Sequence, residues 1–153
     1  MIEHMWFTKS GYRAVVLMLD TGHRCGYVEI PHPHPCYEKE YSDINVNVHN
    51  GLTFSAYSSE MPYAVPEGFW VLGFDCIHSG DAIDLEAYDR YSNMGYLSKT
   101  QEDISYVFNA IFTNDTVRTL DFVVAECESL ATQLKEMELP STVLHTTAML
   151  KSS

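Results

Sequence analysis

Glu67-Gly-Phe-Trp-Val-Leu-Gly-Phe-Asp-Cys-Ile-His-Ser-Gly-Asp81 is the stretch on which the fold turns. From Phe69 to Ile77 almost every residue is apolar or small, the composition of a strand buried on both faces. Asp75, Cys76, His78 and Asp81 then fall within seven positions, where Ser79-Gly80 ends the strand. Polar side chains at the end of a buried strand are held firmly and still reach solvent, so this is the place to expect a binding or catalytic site.

Working outward, Ile44-Asn-Val-Asn-Val-His49 alternates strictly, and Asn50-Gly51 after it is a strong hairpin signal, because a type I′ turn needs positive φ at both positions. Leu52 to Ala56 is then the returning strand, and residues 57–66 are a polar connection. Further upstream, Gly11–Leu19 and Cys25–Ile30 read as a hairpin across the turn Asp20-Thr-Gly-His-Arg24. Pro31-His-Pro-His-Pro-Cys36 fits neither helix nor central strand, since its prolines remove ladder donors.

Downstream, residues 82–114 read as an irregular excursion, with a short helix capped by Thr100 and running to about Phe112. Asn114-Asp-Thr116 is a second helix start. It leads a long helix over about 117–137, with Val117, Leu120, Val124, Cys127, Ala131 and Leu134 as its apolar stripe. The tail from Leu139 reads as frayed. The expectation is one α+β domain over 1–153: a mainly antiparallel sheet of hairpins packed against a long C-terminal amphipathic helix.

Composition narrows the function classes. The 153 residues are 46% apolar, enough for a real core. Nine basic residues stand against 21 acidic ones, a formal charge of −12, and the basic residues are scattered singly. Direct nucleic-acid binding is therefore not expected, because phosphates demand clustered Lys and Arg. The carboxylates are interleaved with Tyr, Ser and Asn rather than arrayed densely, which also disfavours mimicry of nucleic acid. The longest aliphatic run, Ala14 to Leu19, is too short for a membrane span. No export signal is evident, so the four cysteines are expected as thiols in a cytoplasm. They show no Cys-x-x-Cys spacing. Cys25 and Cys36 with His32 or His34 have zinc-binding atoms but no standard ligand spacing.

The catalytic candidates are Asp75, His78 and Asp81, with His49 brought alongside by its hairpin. A His–Asp pair supplies a general base and its orienter. The same four side chains suit a divalent metal, the less favoured reading. Against both stands a purely architectural role, in which the aspartates cap loop amides and the histidines bond carbonyls. Tyr27, Thr53, Cys76 and Glu126 are weaker ligand-binding candidates. Cys76 reads better as core than as nucleophile, because the adjacent carboxylate raises its pKa. Phosphate loops, nucleophile elbows and metalloprotease or dinucleotide fingerprints are missing from the sequence.

Arg24-Cys-Gly-Tyr-Val28, His34-Pro-Cys-Tyr37, Val48-His-Asn-Gly-Leu-Thr-Phe54, Trp70 through Asp81 and Ala125-Glu-Cys-Glu-Ser-Leu130 together resemble a family of small, functionally uncharacterised bacteriophage and prophage proteins. The likeness covers about residues 11–81 and the last helix, and its Gly-Phe-Asp-Cys-x-His-x-Gly-Asp block is the most specific part. The family's hairpin usually reads His-Gly-Gly where this chain has His49-Asn50-Gly51, a turn-compatible difference. The resemblance implies a phage accessory protein working in the host cytoplasm rather than a housekeeping enzyme. Its expected partner is a small-molecule ligand at the strand end, or a host protein meeting the acidic, tyrosine-rich surface, for instance in counter-defence. The alternatives are a hydrolase using the His/Asp cluster, metal-assisted or not, and a structural or assembly protein.

Overall fold

A computed structural model describes residues 1–98 and 115–138. The chain is α+β, with a five-stranded sheet in the order β1-β2-β3-β5-β4. Its strands are β1 (Ile2–Phe7), β2 (Arg13–Met18), β3 (Arg24–Pro31), β4 (Phe54–Tyr57) and β5 (Phe69–Asp75), and every pairing is antiparallel. A two-stranded parallel pair, β6 (Asp81–Ala82) and β7 (Thr116–Val117), lies beyond β5. The described α-helices are α1 (Leu85–Asn93) and α2 (Leu120–Glu136).

β5 occupies the interior position that its composition demands. Alternation sends Trp70, Leu72 and Phe74 to the face covered by α2, where they pack with Val28, Ile30 and the α2 residues Val123, Cys127, Leu130 and Leu134. Val71 and Asp75 take the other face, where Val15, Leu17 and Tyr63 form a smaller cluster beneath Met61 and Val65. Two glycines set the spacing. A Cβ on Gly26 would stand 2.5 Å from Phe74 and 2.8 Å from the Cys127 sulfur, and one on Gly73 would stand 2.6 Å from the Tyr27 ring. The helix and both rings approach the sheet only because those positions carry no side chain.

The β2–β3 hairpin follows the sequence expectation, but four other elements differ from it. Ile44–His49 is not a strand. Its alternation does turn Ile44, Val46 and Val48 toward the core, but its backbone is met by a side chain, with Gln133 of α2 bonding the amide and the carbonyl of Asn47 at 2.7 Å each. The Asn50-Gly51 turn forms with φ of 55° and 80°, yet it delivers the following strand to the edge of β5 instead of back onto 44–49. Residues 1–9 carried no strand expectation, and they supply edge strand β1. Within the expected excursion, Asp84 caps α1 by accepting from the Ala87 amide at 3.2 Å, and the helix buries Ala87 and Tyr88 against Met18 and Leu97. Tyrosines stand there for aliphatics, which blurs the period. Finally, α2 starts at Leu120 behind the cap Thr119, with a fully buried Val123 joining the half-buried Val124 in the stripe and with Val117 exposed on β7. The expected helix from Thr100 and the tail from Leu139 lie outside the described residues.

Candidate functional site

The β3–β5 register places Cys25 opposite Asp75, so the β2–β3 turn and the end of β5 share one end of the sheet. Asp75 is held from two sides: the Thr53 hydroxyl donates to Oδ2 at 2.9 Å and the Ile77 amide to Oδ1 at 3.1 Å. The chain then turns tightly through Gly80, at φ 93°, and Asp81 folds back on the loop. The Asp81 amide donates to the His78 carbonyl at 3.0 Å, and its carboxylate accepts the His78 amide at 3.1 Å. This reciprocal pair fixes His78 between the two aspartates. His78 Nδ1 lies 3.3 Å from Asp75 Oδ1 and 3.8 Å from Asp81 Oδ2. That nitrogen is buried and off the angle of a hydrogen bond, close enough for an ion pair when the ring is protonated. The side chain is 35% exposed, so the open part of the ring is the edge that carries Nε2.

Asp81, 7% exposed, is the hub. It accepts Arg118 Nε at 2.7 Å and His49 Nε2 at 2.9 Å on Oδ1, in addition to the His78 amide on Oδ2. Burial works against its charge, but the Arg118 guanidinium, the His78 amide and the His49 imidazole together hold the carboxyl below the usual carboxylate range. The His49 ring stands edge-on to Phe122 at 5.2 Å and to His78 at 6.4 Å, and Arg118 lies over Phe122 at 4.9 Å.

All four catalytic candidates, His49, Asp75, His78 and Asp81, thus come together, and Thr53 joins them. His49 arrives by a route other than the hairpin pairing expected of it. Two members had no sequence signal strong enough to single them out. Arg118 is one scattered basic residue ahead of a helix. His23, in the β2–β3 turn, is buried with Thr21 Oγ1 3.0 Å from its Nδ1; burial pushes its pKa down while the charges of Asp81 and Asp75 pull it up. Only the strand register brings those residues to the end of β5.

The other candidates stand apart. Tyr27 packs edge-on against Phe54 and near Tyr63, and burial raises its hydroxyl pKa. Cys76 is 2% exposed in the α2-side core, its thiol pushed up to about 12 by burial and then by the charge of Asp81. Glu126 makes no hydrogen bond among the described residues. Its neighbour Glu128 is the helix carboxylate that turns back to the sheet, accepting Trp6 Nε1 at 2.9 Å and the Lys9 amide at 3.1 Å. Cys25 and Cys36 sit toward opposite ends of β3, and His34 is occupied in architecture, bonding the Leu134 carbonyl at 2.7 Å and the Cys36 amide at 2.9 Å. No zinc group forms from them.

Among the described residues, no three His, Cys, Asp or Glu side chains are disposed to hold a metal ion. At the cluster the reason is visible: both Asp81 oxygens are already engaged by Arg118, His49 and the His78 amide. The largest charges facing the imidazoles are therefore two carboxylates and one guanidinium. A cavity of about 360 Å³ lies at the opposite end of β3 and β5, near Pro31 and Phe69. Its charged groups are mutually paired, Arg13 with Glu29 at 2.8 Å and Lys135 with Glu138 at 2.6 Å. Among the described residues, no helix is long and apolar enough to cross a membrane. No protein-family model, curated protein or solved structure matches the chain.

Proposed function

We propose that this is a phage accessory protein of the host cytoplasm that works by binding a small polar ligand at the strand-end cluster, with His78 as the primary contact. One observation carries the reading: the Asp81 carboxylate pins the His78 backbone amide, the buried Nδ1 lies beside Asp75 at 3.3 Å without a hydrogen bond, and the side chain is still 35% exposed. Architectural histidines in this chain look different. His34 spends both ring nitrogens on backbone groups. The sequence resemblance supports the phage assignment, and the cluster favours a small ligand over a host protein because its open groups are few and close together.

The Thr53–Asp75–His78 chain also favours a second reading, a metal-free hydrolase. Asp75 would orient the ring, and His78 Nε2 would take a proton from a water whose oxygen attacks the substrate's electrophilic centre. His49, held by Asp81, would return a proton to the leaving group.

Thermal shift against a panel of nucleotides, phosphorylated metabolites and carboxylic acids separates the outcomes. A ligand at 100 times its dissociation constant stabilises by about 2.7 kcal/mol, roughly 5–10 °C for a chain of this size. Ligands that shift the wild type and fail to shift His78→Gln support the site. Equal shifts in both proteins refute it. Mass spectrometry of any active mixture then distinguishes the readings, since binding leaves the ligand intact and hydrolysis leaves fragments.

A further inference from the structure

β1 is an edge strand, and its apolar residues are on show. Its register sets Ile2, Met5 and Phe7 opposite Leu17, Val15 and Arg13, on the sheet face away from α2. There they are 43%, 40% and 74% exposed, far more than an ordinary half-buried strand face. The backbone outside them is also open. The Thr8 amide bonds the Tyr12 carbonyl at 2.8 Å, and the antiparallel alternation continues through Trp6–Ala14 and His4–Val16. Those residues turn their N–H and C=O groups inward to β2, so Met5 and Phe7 turn theirs outward. The far edge of the sheet is guarded: the Tyr41 amide bonds Ser55 Oγ at 3.1 Å beside β4, and the Tyr57 hydroxyl bonds Glu38. β1 has no such cover among the described residues.

We infer that β1 pairs with β1 of a second copy of this chain, antiparallel across a two-fold axis at Trp6, to make one continuous ten-stranded sheet. The partner is self-selected by register and charge. Placing Met5 opposite Phe7 of the second copy satisfies the outward groups of both residues on both chains, four backbone hydrogen bonds in all, and keeps every side chain on its own face. It also lays each Met5 thioether against the ring of Phe7 from the other copy, a favourable sulfur–aromatic contact. A chain of charge −12 repels its own kind over most of its surface. The strand is the exception: its one carboxylate, Glu3, has both oxygens on the buried Arg24 guanidinium, at 2.6 and 2.7 Å. This pairing does not depend on the ligand reading.

Sedimentation equilibrium of the full chain, from micromolar to near-millimolar concentration, tests it. The wild type is expected to dimerise with concentration. Met5→Pro deletes an outward N–H and leaves the ladder to β2 intact, so it should fold and raise the dimer dissociation constant about tenfold or more. Met5→Lys, which keeps the amide but places two charges in the seam, should weaken the dimer as well, and it decides the matter if the proline variant fails to fold. Tyr41→Lys, a change at an exposed residue beside β4 on the opposite edge of the sheet, should leave the constant unchanged. A wild type that stays monomeric throughout, or a dimer that persists equally in the folded Met5 variants, overturns the pairing and leaves the edge to another protein's strand.

Discussion

Replacing Asp81 by Asn should cost this protein about 2–4 kcal/mol near neutral pH, and the cost should fade in acid. The Asp81 carboxylate is almost wholly buried and receives three donors: Arg118 Nε, His49 Nε2 and the His78 amide. An ionised carboxylate has lone pairs for all three, whereas an asparagine has one oxygen with two and must turn its own NH2 toward the third donor. The variant therefore loses charge assistance on every bond and gains one donor–donor conflict. Bonds to a charged group contribute about 1.5–3 kcal/mol and neutral ones about 1. Arg118 and His49, 22% and 12% exposed, recover part of the loss by hydration, which keeps the total below the roughly 3–5 kcal/mol of a fully buried broken pair. The pH dependence has a definite sign. Asp81 has a folded pKa below the 3.8 of its unfolded form, so its contribution is complete above about pH 4 and is lost as pH falls through the lower folded value. Asparagine does not titrate, so the gap between the two proteins closes in that window. Urea unfolding of both proteins at pH 7 and pH 3 measures it. A gap under about 0.5 kcal/mol at pH 7, or one that is the same at pH 3, would refute the reasoning.

Gly26→Ala should destabilise by about 1–3 kcal/mol, measured as a lower urea midpoint at unchanged slope, because the new methyl collides with the buried Phe74 ring and the Cys127 sulfur; shrinking the ring with Phe74→Leu in the same chain should recover part of it. Glu128→Ala should cost about 1–2 kcal/mol through the stranded Trp6 and Lys9 donors, whereas Glu126→Ala should stay within about 0.5 kcal/mol by thermal unfolding. The four thiols are buried, with Cys25 pushed up to about 11 and Cys76 to about 12, chiefly by burial, so iodoacetamide at pH 8 should label none of them in folded protein and all of them in urea.

What could be read from the chain follows from how local each signal is. β5 declares itself because a strand buried on both faces needs an unbroken apolar run, and α2 because its stripe repeats over several turns. The cluster at 75–81 was legible for the same reason: four reactive side chains within seven residues must share one strand end wherever the strand lies. Thr53 and His49 were legible only as neighbours of the Asn50-Gly51 turn, and the pairing attached to that turn was wrong. A turn fixes a reversal of direction and does not choose the strand that receives it; β5 offered a longer apolar edge than Ile44–His49, where Gln133 takes up the amide and carbonyl of Asn47. His23 and Arg118 were invisible for a deeper reason. Each reaches the site through register between segments far apart in sequence, which no local pattern encodes. β1 was missed because Glu3, His4 and an irregular register at its start hide the period of two.

The three arginines that pin buried carboxylates show why the strand end, and not another charged cluster, is the place to look for function. Arg13 bonds Glu29 and Arg24 bonds Glu3, each carboxylate nearly inaccessible, and Arg118 bonds Asp81 in the same manner. The first two are closed. Arg24 spends its remaining donors on Asp84 and the Arg118 carbonyl, while Arg13 reaches the Ala64 carbonyl, so these pairs tie β1, β3 and the loops to one another. At Asp81 the network stays open: the Arg118 terminal nitrogens make no hydrogen bond among the described residues, and the His78 imidazole stands beside it 35% exposed. A protein short of basic residues has placed one guanidinium and the His78 imidazole where their bonding capacity is not used up. Closed ion pairs hold a fold together, and hydrogen-bonding capacity held in place and left unspent is what a ligand can use.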